Sequence, residues 1–131
     1  MVHGVATHLM FAGEASAALE LYAAVFSEFR LDAIERYGAG EAGAAGTVRR
    51  ADITFGRHRI IVIDSPVKHA FGFTPAMSLF VDCDSASALD SAFAQLAQGG
   101  KVLMPIADYG FSKRFGWCSD RFGVSWQLNL P

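Results

Sequence analysis

The chain has 131 residues, of which 52% are apolar and 18% charged, with a formal net charge of −2. That balance describes a folded globular chain able to bury a core and excludes a disordered one. It also excludes an electrostatic footing on DNA, RNA or an anionic membrane surface, each of which calls for a basic face. The local basic groups, Arg49-Arg50 and Lys113-Arg114, are pairs and read as solvated strand ends. No run approaches the ~18 apolar residues of a membrane span. The opening "MVHGVATHLMFAGEA" lacks a basic segment feeding a long apolar stretch, so no signal peptide is expected. Cys83 and Cys118 stand far apart in no ligand-like spacing, which points to reduced thiols and a cytoplasmic protein.

Along the chain, "THLMFAGEASAALELYAAVF" (7–26) opens with a short alternating apolar segment, breaks at a small pair, and runs into an Ala-rich helix. Ala15, Leu19, Tyr22 and Phe26 recur at helical spacing and define one apolar face. Three strand-like segments follow at 29–37, 46–55 and 57–65, the first two joined by the flexible Gly/Ala-rich loop 38–46. "PVKHAFGFTP" (66–75), bounded by prolines, reads as a linker. The pattern then repeats in "MSLFVDCDSASALDSAFAQL" (77–96), where Leu79 answers Leu9, Leu89 answers Leu19 and Leu96 answers Phe26. Leu89, Phe93 and Leu96 form the second apolar helix face. Asp84 or Ser85 is placed to cap that helix, and Gly99-Gly100 to supply a left-handed exit. Strands are expected at 101–106, 112–119 and 124–130. The order is βαβββ, linker, βαβββ: one domain made of a first module (1–65), a linker (66–75) and a second module (76–131).

This order, the opening "THLMFAGEASAALELYAAVF" and the closing "GWCSDRFGVSWQLN" resemble the vicinal oxygen chelate superfamily of glyoxalase I, bleomycin-resistance proteins and extradiol dioxygenases. They are most similar to its PhnB-like branch, also labelled the 3-demethylubiquinone-9 3-methyltransferase domain family. The closing segment matches that branch's Gly-x-x-x-Asp-(Lys/Arg)-Phe-Gly-(Val/Leu)-x-Trp hairpin. The resemblance covers nearly the whole chain and is weakest at 38–46 and 66–75. It implies an α+β fold in which two βαβββ modules form a curved, cavity-enclosing, antiparallel-rich sheet. It also implies a homodimer.

Strand alternation sorts the faces. Leu9 and Phe11 in the first strand, and Met77, Leu79 and Val81 in the fifth, are expected to pack under the helices. His8, Met10, Ser78 and Phe80 then face the cavity. In the last strand Val124, Trp126 and Leu128 are expected to meet the helix, leaving Ser125, Gln127 and Asn129 on the concave side. Asp64, at the end of the fourth strand, is also assigned to the cavity. The expected lining is therefore His8, Met10, Asp64, Ser78, Phe80 and Gln127, with Tyr109 and Lys113 near the mouth.

In metal-dependent members of the resembled family, ligands come from the first, fourth, fifth and eighth strands. They are typically two His or Gln and two Glu. His8 matches the first position, Asp64 lies near the second, Ser78 falls where a His or Gln lies, and Gln127 falls where the final Glu lies. Serine is a poor ligand for a divalent ion and a neutral amide a weaker one than carboxylate. No cofactor and no intact metal site are expected; a weakly bound divalent ion would have His8, Asp64 and Gln127 as its ligands. His8 is the best catalytic candidate, because imidazole suits general acid–base work. The competing reading is a hydrogen-bonded cavity or core histidine.

Methyl transfer is not supported by the residues. A methyl-donor site of the common α/β form needs a Gly-rich turn opening a helix, whereas "GAGEAGAAG" lies between strands. There is no Gly-x-Ser-x-Gly elbow and no Walker loop. Two classes remain. One is a small-molecule-binding protein with a mostly apolar cavity. The other is a divalent-metal enzyme of lyase, isomerase or dioxygenase type acting on a substrate with adjacent oxygens.

Overall fold

The computed structural model describes residues 1–131. The chain divides between Ala70 and Phe71 into two compact units. Each unit holds one helix and one four-stranded mixed sheet, giving an α+β architecture of two repeated βαβββ modules.

In the first unit β1 (Thr7–Phe11) is followed by α1 (Ala15–Val25), β2 (Phe29–Arg36), β3 (Val48–Phe55) and β4 (His58–Asp64). The sheet order is β1-β4-β3-β2, with β1 parallel to β4 and the other pairs antiparallel. Ala15, Ala18, Leu19 and Tyr22 of α1 are buried, as is Phe26 just beyond it, so the apolar stripe read from spacing is the packed face. It meets Leu9, Phe11, Ala51, Ile53, Ile60 and Val62, all buried. Tyr22 and Phe55 both pack edge-on against Phe29, at centroid distances of 5.5 and 5.4 Å. Edge-to-face packing of this kind adds about 0.5–1.5 kcal/mol per pair beyond area burial.

The second unit repeats the plan with β5 (Ser78–Asp82), α2 (Ala86–Ala97), β6 (Lys101–Ala107), β7 (Arg114–Ser119) and β8 (Ser125–Leu130), in sheet order β5-β8-β7-β6. Again the first and last strands pair in parallel and the rest antiparallel. Leu89, Ala92, Phe93 and Leu96 of α2 are buried against a layer that includes Cys118, Trp126 and Leu128. Ser85 is the N-cap, extended in backbone, with its hydroxyl accepting from Ala88 N at 3.1 Å. After α2 the chain turns through Gly99 at φ +75°. At Gly100 a Cβ would lie 2.1 Å from the Ser119 carbonyl oxygen, so only glycine lets β6 start beside the end of β7.

Three local expectations are corrected. Met77 precedes β5 and is 74% exposed, so it does not pack under a helix. The 38–46 loop is tied down rather than loose. Glu41 accepts from Gly38 N and pairs with Arg49, whose guanidinium also sits 5.0 Å over the Tyr37 ring. The Gly38 amide, and after it the Arg49 guanidinium, hold the Glu41 carboxyl below its ordinary range. The third correction concerns Asp64 and belongs with the site. No helix is long and apolar enough to cross a membrane.

Candidate functional site

The closing motif explains itself at Asp120, which is 3% exposed. One carboxylate oxygen accepts from Phe122 N at 2.9 Å and Val124 N at 3.1 Å. The other accepts from the Trp126 indole at 2.9 Å. Gly123, at φ +93°, completes the turn. The Asp, Gly and Trp of the motif therefore build a hairpin, and Trp126, fully buried, anchors it to the core.

Asp64 has a similar structural task, which overturns its assignment to the cavity. In β4 it shares the helix-covered face with Ile60 and Val62 and is 2% exposed. Its Oδ1 accepts from Gly13 N at 2.8 Å and Ala15 N at 3.0 Å; Oδ2 accepts from Val48 N at 2.9 Å. The cause lies in α1, whose N-cap Glu14 makes no side-chain cap. Amides at a helix start need acceptors, and a carboxylate there also complements the helix dipole. His8 pairs with Ile61 and Met10 with Ile63, which places both on the opposite face from Asp64. His8 is exposed and Met10 half-buried. His8 and Asp64 therefore do not fit a shared metal ion, since Asp64 faces away from His8 with both oxygens engaged. No three His, Cys, Asp or Glu side chains cluster so as to hold one.

In the second unit the register gathers a different set on the face away from α2. Ser78, Phe80 and Asp82 of β5 stand beside Ser125, Gln127 and Asn129 of β8. Ser119, Trp117 and Phe115 of β7 stand beside the same three. Ser78 Oγ lies 2.6 Å from Ser125 Oγ, and Gln127 Nε2 donates to Ser78 Oγ at 3.1 Å. The Trp117 indole donates to Ser125 Oγ at 2.8 Å. Next along the strands, Asn129 donates to Asp82 at 2.9 Å, and its own Oδ1 is buried without a protein partner. Phe115 is buried under a ring cluster. Its centroid is 5.0 Å from Phe111, 6.0 Å from Tyr109 and 6.3 Å from Phe80. Phe80 remains 55% exposed and Phe111 63%.

Of the residues chosen from sequence, Ser78, Phe80 and Gln127 are thus brought together, and Tyr109 joins them through Phe115. Lys113 is exposed and contributes its backbone amide to Leu130 O at 3.0 Å. Sequence reasoning missed Trp117, although strand alternation sets it directly across from Gln127. Ser125 and Asn129 do lie on the expected face, but both are buried. On β7's other face, burial and then the Asp120 carboxylate push the Cys118 thiol up to about 12 from 9.0, leaving it inert.

A family model described as 3-demethylubiquinone-9 3-methyltransferase matches residues 3–129. The chain belongs to this family. Among solved structures it is similar to a PhnB protein of Bacillus cereus, with 44% identity, a TM-score of 0.93, and coverage of 98% of this chain and 100% of that one. Protein PA1353 of Pseudomonas aeruginosa is 26% identical, with a TM-score of 0.86 and 98% of each chain covered. The fosfomycin resistance protein FosX of Mesorhizobium loti shares the fold at 13% identity and TM-score 0.63, over 100% of this chain and 94% of that one. Family and fold together place the chain in the vicinal oxygen chelate superfamily, with its glyoxalase-like architecture. No curated protein matches.

Proposed function

We propose that this family member is a homodimeric, cytoplasmic small-molecule-binding protein that needs no resident metal or cofactor. Its ligand lies on the α2-distant face of β5, β8 and β7. The observation that carries the reading is the linked Ser78, Ser125, Gln127 and Trp117 network beside the exposed rings of Phe80, Phe111 and Tyr109. A few fixed polar groups set in aromatic surface are what orient and hold a compact ligand. Methyl transfer is not part of the reading, since the Gly-rich 38–46 segment joins two antiparallel strands instead of opening a helix. Exposed Val102 and Met77 supply apolar surface for a second copy to cover.

Thermal-shift screening of a metabolite-sized library tests the binding reading. Hits are expected that stabilise the wild-type protein and are lost in Phe80→Ala and Gln127→Ala. A near-stoichiometric divalent ion in protein purified without chelator, lost on His8→Ala, would instead favour the metal-enzyme alternative. Light scattering is expected to give a dimer, and a clean monomer at micromolar concentration would remove that element.

A further inference from the structure

We infer that the network under this face fixes the direction of the Ser78 hydroxyl proton and thereby selects an uncharged, planar ligand presenting a carbonyl oxygen beside an N–H, as in a lactam or amide. The inference rests on the binding reading above and specifies its ligand class.

The argument is a count of protons. The Trp117 indole N–H can only donate, and its acceptor is Ser125 Oγ at 2.8 Å. Ser125 is 2% exposed, and Ser78 Oγ, at 2.6 Å, is the acceptor within its reach. A buried hydroxyl proton left without an acceptor is costly, so Ser125 donates to Ser78. The Gln127 amide Nε2 also only donates, and it too ends on Ser78 Oγ, at 3.1 Å. With the Gln127 amide in this orientation, Ser78 accepts twice, and its own proton is left without an acceptor in the protein. The remaining tetrahedral direction at Oγ belongs to that proton, on a half-buried residue of the ligand face. Donors feeding one oxygen polarise its O–H and make it the better donor.

Gln127 turns its Nε2 to Ser78, which leaves Oε1 as an acceptor without a protein donor. The face thus offers one donor and one acceptor on adjoining residues, the complement of a carbonyl with a neighbouring N–H. Phe80, in register with Gln127, supplies a flat apolar side. The network itself carries no charge. Charges in register with this face are Asp82, engaged by Asn129, and Lys101, exposed at the β6 edge across from Ser119. No cation touches Ser78 or Gln127 to offset the desolvation of an anion.

The test is an NMR titration of the wild-type protein with oxindole, N-methyloxindole, indane and benzoate. Oxindole is expected to bind about ten-fold more tightly than N-methyloxindole, the effect of one lost hydrogen bond with its acceptor left unpaired. Shifts are expected at Ser78, Phe80 and Gln127. Ser78→Ala is expected to weaken oxindole about ten-fold while keeping the penalty for N-methylation, and Gln127→Leu to abolish that penalty, both with native spectra elsewhere. Equal affinity for oxindole, N-methyloxindole and indane at this face would overturn the inference and leave the binding reading standing. Tighter binding of benzoate than of oxindole would likewise overturn it. Absence of binding of all four, or shifts only elsewhere, would overturn the inference, and the binding reading falls with it only if the library screen also gives no hit at this face.

Discussion

Replacing Asp64 by alanine removes three hydrogen bonds from one side chain. A bond to a charged group contributes about 1.5–3 kcal/mol net, and a buried donor left unmade costs about 1–3 kcal/mol. Ala15 and Val48, whose amides are stranded, are both 0% exposed. Against this stands the carboxylate's own desolvation, several kcal/mol at such burial, which disappears with it. The balance is a loss of about 3 kcal/mol, which lowers the melting midpoint by roughly 10 °C in a chain of this size. Asp64→Asn keeps the shape but loses at least half as much. An oxygen placed on Gly13 and Ala15 sets Nδ2 against the Val48 N–H, donor facing donor. Calorimetry of both variants beside wild type measures the effect. A midpoint within 1 °C of wild type for Asp64→Ala, or metal loss with unchanged stability in Asp64→Asn, would refute the structural assignment and restore Asp64 as a ligand.

Other parts of the fold give equally direct tests. Asp120→Ala strands the Phe122 and Val124 amides and the Trp126 indole; a loss of about 3 kcal/mol in urea unfolding and altered native Trp fluorescence are expected. Gly100→Ala drives a methyl into the Ser119 carbonyl and is expected to cost about 3 kcal/mol or more. Gly110→Ala meets open space at φ +96° and is expected to cost only about 1 kcal/mol in calorimetry. The Cys118 thiol is held at about 12 in the fold against an ordinary 9.0, so between these values the unfolded chain sheds a proton that the folded chain keeps. Stability is expected to be untouched below pH 9 and to fall above it, by up to about 1.4 kcal/mol per pH unit. The extra loss in wild type relative to Cys118→Ala, followed by urea unfolding, measures it.

Where one face of an element is uniformly apolar, its role was legible from the residues. Leu19, Tyr22 and Phe26, and then Leu89, Phe93 and Leu96, could only point at a core, and the repeated pattern fixed the module order. Alternation also sorted β8 correctly, with Trp126 inward and Gln127 outward. It failed in β4 because "RIIVID" is apolar on both faces, so parity alone named no buried side. A carboxylate at the end of such a strand then looked like cavity lining. The missing fact was non-local: β4 runs parallel to β1 and ends in register with Phe11, beside the start of α1. Trp117 was missed for a related reason. Its indole proton matters only once Ser125 is known to lie within reach, and that contact joins two strands across a hairpin.

The two modules also show why an acid sits at Asp64 and not at its counterpart. Leu9 pairs with Val62 as Leu79 pairs with Trp126, so Asp64 corresponds to Leu128, which is fully buried. In the second module Ser85 caps α2 locally, from the residue just before the helix, and a leucine can fill the position under the helix. In the first module Glu14 supplies no cap, and the acceptor comes from β4. If that compensation is the reason for Asp64, restoring a local cap should relieve its loss only in part. A good N-cap contributes about 1 kcal/mol, but Glu14 sits at φ −103°, ψ 9°, far from the extended backbone of Ser85. An N-cap at position 14 serves the amides of the first helical turn and leaves the Val48 amide without the acceptor that Asp64 supplied. Glu14→Ser in the Asp64→Ala background is therefore expected to recover less than about 1 kcal/mol of the lost stability in urea unfolding. Full recovery would mean that Asp64 serves the helix alone and that its bond to β3 contributes nothing.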